Sequence, residues 1–519
     1  MTAGRVTPNG SAPTAVSGRR ATQRRGARLG VVLLAHWPLV VLMTLGALLR
    51  AAVAASYWPA WEFNQDSFDY LGDARHLNPN VARPEGYPVF LRGLSSITTQ
   101  LAVVPIVQHV LALVIAVLVY AVVRRQGAGR WWGTVAAAPL LLDSYQIAVE
   151  QFVLAETLFE FLVAAAFAVL LWHRRPGWRA AASAGALLSA ATLTRSVGVV
   201  LLLPAGLVLL LSRGVGWRTW RLGWLPTAAF AAACAVFFGG YIGWFRSVHG
   251  TTGTGAYNGY FLLGRVMTFG NCEPLQLTAQ ERALCDTSPL SARRPPGDFT
   301  WASNSPLRHP GEPPGPLRNQ EAGHIAVLVM LHQPRDYAGT VVHDLLHYFS
   351  PGRHSGRMDG PVQTLQFPVS YVDSRWRPLV EPADHYLRDW NYPGRVVQYG
   401  RLPARYGFSL EQLHPTYDRS LPVVLQAYQR VGYTPGPLLA LAAVLGLLGA
   451  LARRVGAARL RLPGLALALA GLLSLLLPAL TAGFDYRYML PTLVLLPPAG
   501  ALGALALLGR GHLTREHRR

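Results

Sequence analysis

The chain has 519 residues, of which 51% are hydrophobic and 14% charged, and its formal net charge is +21. Its apolar residues come in blocks long enough to cross about 30 Å of hydrocarbon, which excludes a soluble globular domain and makes the fold class all-α, a polytopic membrane protein. All 47 basic residues are arginine, a bias that reads as high-GC bacterial coding, and only their placement decides whether the charge means a nucleic-acid partner.

Residues 1–30 form a basic tail. Predicted spans follow at 31–54, 102–123, 131–147 and 149–172, a long run occupies 180–211, and further spans lie at 222–245, 437–452, 462–482 and 488–508. Between them run short arginine-rich stretches, at 124–130, 174–179, 213–221 and 453–461, and a second basic tail begins at Arg510. With the first tail these hold 23 arginines and one acidic residue, Glu516, so by the positive-inside rule they are cytoplasmic. The basic excess is topological, and no nucleic-acid partner is expected. The same rule divides 180–211, because a single helix would put arginine clusters on opposite sides. A hairpin of two short helices keeps both clusters inside and places Arg195 near its outer turn, giving about ten segments with both termini cytoplasmic. Ala52-Val-Ala-Ala55 looks like a cleavage site, but the basic region and the apolar stretch before it are long for a signal peptide, so the first helix is expected to stay uncleaved.

The chain therefore divides into the tail 1–30, an N-terminal membrane module 31–245 with its first exterior loop at 56–101, an extracytoplasmic loop domain 246–434, C-terminal spans within 435–508 and the tail 509–519. In the large loop, 270–318 is rich in Pro, Gly and Arg and reads as ordered loop. Apolar positions at helical spacing over 319–349, interrupted by Pro334, predict two successive helices. Cys272 and Cys285 both fall in this loop. In an oxidising compartment a disulfide between them would stabilise it by about 3 kcal/mol; the alternative is two neighbouring free thiols. His343-Asp-Leu-Leu-His347 sets two imidazoles on one helix face, with His354 nearby. Zinc hydrolases use a related spacing with glutamate in second place. The shorter aspartate and the missing third ligand favour an amphipathic helix on the outer membrane surface, and no metal ligands are assigned.

The first exterior loop carries the chemistry. Asp66-Ser-Phe-Asp-Tyr70 stands just past the first span, and Arg83-Pro-Glu-Gly-Tyr-Pro88 follows within one short loop. If the segment is helical, Asp66 and Tyr70 share an edge, as do Asp69 and Asp73. Tyr57, Trp58, Trp61 and Phe63 suit a membrane-interface helix, so these carboxylates either face a cleft or form a solvated edge beside an aromatic belt. Glu150 and Glu156 come at and just below the outer end of the fourth span, with Glu160 a turn deeper. A carboxylate there is costly unless it is paired or wet, which points to function, against the competing account of a structural ion pair. Arg195 and Arg487 come out near the outer boundary, where the fork of a guanidinium can grip two phosphate oxygens. For Arg487 a local salt bridge with Asp485 is the rival account.

In order and sidedness these residues resemble a known family. Asp66-x-x-x-Tyr70, then Pro84-x-Gly-Tyr-Pro88 with Phe90-Leu91, then Gln108, are similar to the first loop of the GT-C glycosyltransferases. The likeness is to bacterial relatives of the protein mannosyltransferases and of the aminoarabinose transferase of lipid A. It continues through Tyr145, Glu150, Glu156-Thr157, Leu193-Thr194-Arg195 and Tyr486-Arg487-Tyr488-x-x-Pro491, over roughly residues 30–250 and 480–508, whereas the large loop matches only in position and size. The resemblance implies an inverting transferase that uses a polyprenyl-phosphate sugar donor at the outer face of the cell membrane, with an extracytoplasmic glycan, lipid or protein as acceptor. It implies Asp66 as the catalytic base with Asp69 as a second carboxylate, and Tyr70, Tyr87, Glu150 and Glu156 on the acceptor side or supporting it. Arg195, Arg487 and Tyr488 fall to the lipid phosphate. Many relatives have a second acidic residue directly after the aspartate, where this chain has Ser67. That departure weakens any transfer of a paired-carboxylate or metal role, so no cofactor is assigned and a divalent cation stays open. The rival class is a non-catalytic carrier or flippase of lipid-linked sugars, which would more often show internal repeats and small exterior loops.

Overall fold

The computed structural model describes residues 34–369 and 420–509, apart from 62, 99, 214–216, 303, 309–315 and 455–456. The protein is an all-α polytopic membrane protein. Among the described residues the regular elements are helices, and the one bridge of β type pairs Trp61 with Phe152. Among the described residues five helices are long and apolar enough to cross a membrane: α1 (Trp37–Ser56), α4 (Val103–Arg125), the Trp224–His249 part of α10 (Trp217–His249), α18 (Ala458–Thr481) and the Tyr486–Leu508 run that ends in α19 (Pro491–Leu508).

The other expected spans are broken helices, and the breaks have local causes. The segment expected at 131–147 is α5 (Arg130–Leu142) followed by α6 (Ser144–Gln151), because Asp143 leaves the helix and caps the next one, its Oδ1 accepting from the N–H groups of Tyr145 and Gln146. The segment expected at 149–172 opens on the last residues of α6, breaks, and resumes as α7 (Glu156–Leu171). Residues 152–155 leave the helix, with Phe152 extended, held by Trp61, whose N–H donates to Gln151 O at 2.9 Å and whose carbonyl accepts from Val153 N–H at 3.0 Å. The run 180–211 becomes α8 (Trp178–Thr194), a break at Arg195 in extended backbone, a 3₁₀ stretch (Ser196–Leu201) and α9 (Leu202–Leu211). Arg213 then donates to Pro176 O at 2.9 Å, so the chain returns to the end from which α8 started.

Two short helices of the first loop, α2 (Asn64–His76) and α3 (Gly86–Ser95), lie against the breaks. α3 approaches the 193–195 corner closely: a Cβ on Gly86 would fall 2.6 Å from Leu193 O, so only glycine fits.

Between α10 and α17 (Gly436–Leu451) lies an insert domain. It holds α11 (Asn258–Val266), α12 (Ala279–Arg282), α13 (Pro296–Trp301), α14 (Pro316–His332) and α15 (Pro334–His347), and α16 (Ser420–Gln429) precedes α17. The two helices expected either side of Pro334 are α14 and α15. The stretch 270–318, expected as loop throughout, contains α12, α13 and a 3₁₀ turn, organised by a small core of its own that includes Tyr260, Leu263, Phe299, Ile325 and Val329. Cys272 and Cys285 flank that core and form a disulfide. A buried ion pair of 2.9 Å between Arg265 and Asp344 joins α11 to α15. Residues 370–419, part of the expected loop domain, lie outside the described residues, as do the basic tails 1–30 and 510–519.

Candidate active site

The helix breaks and the first loop bring one polar cluster together. α2 presents Asp66, Asp69 and Tyr70 along one side. Arg83, from the loop after α2, donates to Asp66 Oδ1 at 2.5 Å and forms a second, very short ion pair with Asp69. Arg487, in the 3₁₀ turn Tyr486–Met489, reaches Asp66 Oδ2 at 3.2 Å, Glu156 Oε1 at 3.5 Å and Asp485 Oδ2 at 3.4 Å. Its guanidinium lies 4.0 Å from the centroid of the Phe63 ring. Arg195, at the break after α8, pairs closely with Glu156 at the first turn of α7 and stands over the Tyr488 ring at 5.7 Å. Asp66, Asp69, Tyr70, Glu156, Arg195, Arg487 and Tyr488, from loops far apart in sequence, thus meet at one end of the bundle.

The electrostatics follow from this crowding. Burial pushes the Asp66 carboxyl up, but Arg83, Arg487 and Arg195 together outweigh it and hold Asp66 below the usual carboxylate range. Asp66 is therefore ionised at neutral pH. Burial pushes the Tyr70 phenol well up, so it keeps its proton. Glu85, one residue before α3, is pushed up to about 8 by burial and by the neighbouring Asp73, which is itself pushed up to about 6 by burial and Asp69.

Tyr87 and Glu150 sit behind the cluster. The Tyr87 ring meets Tyr70 edge-on at 4.9 Å, and its hydroxyl donates to Gln108 Oε1 at 2.7 Å. Gln108 in turn donates to the carbonyls of Glu150 and Phe152 at 2.8 and 2.7 Å, which ties the non-helical 152–155 stretch to the first loop. The Glu150 carboxylate points into the bundle, taking two hydrogen bonds of 2.7 Å from Arg50 and one contact of 2.8 Å from His109. It answers a buried arginine in the first span, away from the ion pairs of Asp66 and Glu156.

Ser67 is fully buried, accepting from Phe63 N–H at 2.8 Å and donating to Val153 O at 3.0 Å. Where many relatives have a second carboxylate, this chain has a pin between α2 and the 152–155 stretch. Arg83 and Arg50 were given no role by sequence reasoning. Arg83 was legible as the first residue of the Arg83-Pro-Glu-Gly-Tyr-Pro88 motif, and Arg50 as an arginine in an otherwise apolar span. Among the described residues no group of three or more His, Cys, Asp or Glu is gathered as a metal's ligands would be. In the insert domain, His347 lies 3.3 Å from Asp359 and its ring 4.8 Å from that of His354.

Residues 102–245 match the model of the dolichyl-phosphate-mannose-protein mannosyltransferase family. The match takes in Glu150, Glu156 and Arg195 and leaves Asp66 and Arg487 outside it. No curated protein matches the chain. Among solved structures it is similar to the S. cerevisiae protein O-mannosyltransferase Pmt1–Pmt2 complex bound to the sugar donor, at 15% identity and a TM-score of 0.34, covering 50% of this chain and 37% of that one. It is similar also to the Archaeoglobus fulgidus oligosaccharyltransferase in the apo form, at 11% identity and a TM-score of 0.41, covering 91% and 50%. A third likeness is to ArnT from Cupriavidus metallidurans in the apo state, at 16% identity and a TM-score of 0.24, covering 90% and 77%. Scores of this size transfer no residue role.

Proposed function

We propose that this protein is a membrane glycosyltransferase that moves a sugar from a polyprenyl phosphate to an acceptor on the extracytoplasmic face, by inverting displacement. The observation that carries the reading is the ionised Asp66 held between Arg83 and Arg487, beside a second arginine–carboxylate pair, Arg195 with Glu156. In the reaction an acceptor hydroxyl or amine attacks the anomeric carbon from one face. The bond from that carbon to the phosphate oxygen breaks on the other, the polyprenyl phosphate leaves, and the acceptor proton passes to Asp66.

A carboxylate held below its usual range is a weak base in the resting site, and the same arginines supply the remedy. As charge builds on the departing phosphate, Arg487 and Arg195 turn their donors toward it. Asp66 thereby loses part of the cationic field that depresses it and becomes a better proton acceptor as the proton is released. Glu156 holds both arginines in place until the phosphate arrives, and Tyr488 flanks the same two guanidinium groups. Tyr70 and Tyr87 back the first loop on the acceptor side. A site at the bilayer boundary leaves the lipid tail in hydrocarbon while the sugar meets a polar acceptor, which favours catalysis by proximity.

The test is turnover of radiolabelled polyprenyl-phosphate sugars by purified protein in nanodiscs. Wild type is expected to release or transfer one sugar of the panel, and Asp66→Asn to lose about 10²-fold or more in rate while retaining donor binding. Donor binding without turnover by wild type favours the carrier class instead, and full activity in Asp66→Asn removes Asp66 as the base.

A further inference from the structure

One short segment of the insert domain packs against the turn that carries Arg487. Residues 343–360 wrap 484–489, the turn that opens the last membrane helix and carries Arg487. The Phe484 ring stacks on His347 at 4.1 Å and leans on Tyr348 at 4.4 Å, and its carbonyl accepts from Gly360 N–H at 2.8 Å. Asp485 N–H donates to the Tyr348 hydroxyl at 3.4 Å. The Tyr486 hydroxyl accepts from His354 N–H and donates to Gly352 O, both at 3.2 Å.

The Asp485 carboxylate links this wrapping to the site. Its Oδ1 accepts from Arg487 N–H at 2.8 Å, capping the 3₁₀ turn, and its Oδ2 takes the Arg487 Nε at 3.4 Å. The carboxylate lies directly against Gly360. A Cβ at position 360 would stand 2.6 Å from Asp485 Oδ2, 2.7 Å from Cγ and 3.0 Å from Cβ. No packed interior tolerates contacts that short, so any side chain at 360 must displace the carboxylate that orients Arg487.

We propose that Gly360 is a positioning residue for Arg487: the absence of a side chain there seats Asp485, and through it the insert domain sets how tightly the site holds the phosphate of a lipid-linked sugar. The proposal deepens the glycosyltransferase reading and rests on it for the identity of the ligand. It applies to the full chain, since the contact joins the insert to the membrane bundle.

The experiment compares wild type, Gly360→Ala, Asp485→Ala and the double variant in nanodiscs, with Gly339→Ala as control because a Cβ there meets nothing within 4 Å. Two quantities are read: binding of polyprenyl phosphate, and hydrogen exchange of the peptide covering 484–489. Gly360→Ala is expected to weaken binding about tenfold, a change of about 1.4 kcal/mol, and to speed exchange at 484–489 without lowering the thermal midpoint of the bundle. Gly339→Ala behaves as wild type. In the Asp485→Ala background the Gly360→Ala change adds nothing to either readout, because the group it displaces is gone. Tyr348→Phe removes one hydrogen bond from the same turn and moves both readouts in the same direction by less, a second probe should Gly360→Ala not fold. Unchanged exchange in Gly360→Ala, or an equal effect in both backgrounds, overturns the proposal. Coupled exchange in a wild type that binds no polyprenyl phosphate sinks the transferase reading and leaves the seating of Arg487 by Gly360 standing.

Discussion

Asp66 and Glu85 belong to the same loop and titrate in opposite directions, and the difference is the number of guanidinium groups each can reach. Asp66 has three within electrostatic range and stays ionised. Glu85 is almost fully buried, its Oε1 accepts from Asn80 N–H at 2.7 Å, its Oε2 has no hydrogen-bond partner among the described residues, and the charge that acts on it is the carboxylate of Asp73. Arg83, two residues away, is committed to Asp66 and Asp69. Because the Glu85 pKa is raised from 4.5 to about 8 on folding, the folded chain holds that proton more tightly than the unfolded one. The resulting stabilisation is complete below about pH 4.5 and is lost as the pH rises through about 8. Glu85→Gln keeps the acceptor for Asn80 and removes the titration, so it is expected to raise the thermal midpoint at about pH 8 and to flatten its decline from about pH 5 upward. An unchanged slope in melting experiments across that range would refute the assignment. At this scale the sequence showed which residues were unusual and only some of their pairings, Arg487 with Asp485 among them. Asp66, Glu156, Arg195 and Arg487 were legible because charges are costly at a membrane boundary. That Glu150 answers Arg50 while Glu156 answers Arg195 depends on side-chain direction, which spacing along the chain does not carry.

Among the elements, the informative feature is where helices stop. Each break that builds the site has a local cause: Asp143 caps α6, Trp61 pairs with the 152–155 stretch, and Asp485 caps the turn that carries Arg487. Hydropathy alone runs through the first two of these places, because Ile147, Ala148, Val149, Phe152, Val153 and Leu154 are as apolar as a helix interior and equally buried. The break at Arg195 was readable because charge sidedness required a turn there. In the insert domain the reverse holds: 270–318 looks irregular by composition, yet it packs around a core distinct from that of the bundle. The Cys272–Cys285 bond closes a separation of 13 residues over that core. Replacing both cysteines by serine is expected to cost the insert about 3 kcal/mol of stability. Because the two cores are separate, hydrogen exchange should accelerate across 258–301 while the membrane helices keep their protection. Uniform loosening of insert and bundle together would show instead that the two unfold as one unit.

Across the whole molecule, polar contacts sort into two ends. At one, Arg125 donates to Trp172 O, Gln126 to Leu171 O, Arg130 to Ala35 O, Arg213 to Pro176 O and Arg454 to Leu508 O, so the arginine-rich turns are neighbours in space. At the other, Asp66, Glu156, Arg195 and Arg487 meet, His249 donates to Pro79 O at 2.5 Å, and Gly436 N–H donates to Ser350 O at 3.2 Å, which joins the insert to the same end. The positive-inside rule predicts that such a molecule keeps its arginine turns in the cytoplasm, and the proposal that the candidate site serves a lipid-linked donor and an extracytoplasmic acceptor rests on that orientation. The decisive stretch is 180–211. As one helix it would place residue 215 outside and residue 250 inside; as α8, a turn at Arg195 and a return through α9, it places 215 inside and 250 outside. The contact from Arg213 back to Pro176 favours the second arrangement. Alkaline phosphatase, active only outside the cytoplasm, is therefore expected to be active when fused after residue 250 and inactive when fused after 215 or 175. The opposite pattern at 215 and 250 would turn the insert domain and the Asp66 cluster to the cytoplasmic face, and with them would fall the reading of the site as one that serves an extracytoplasmic acceptor.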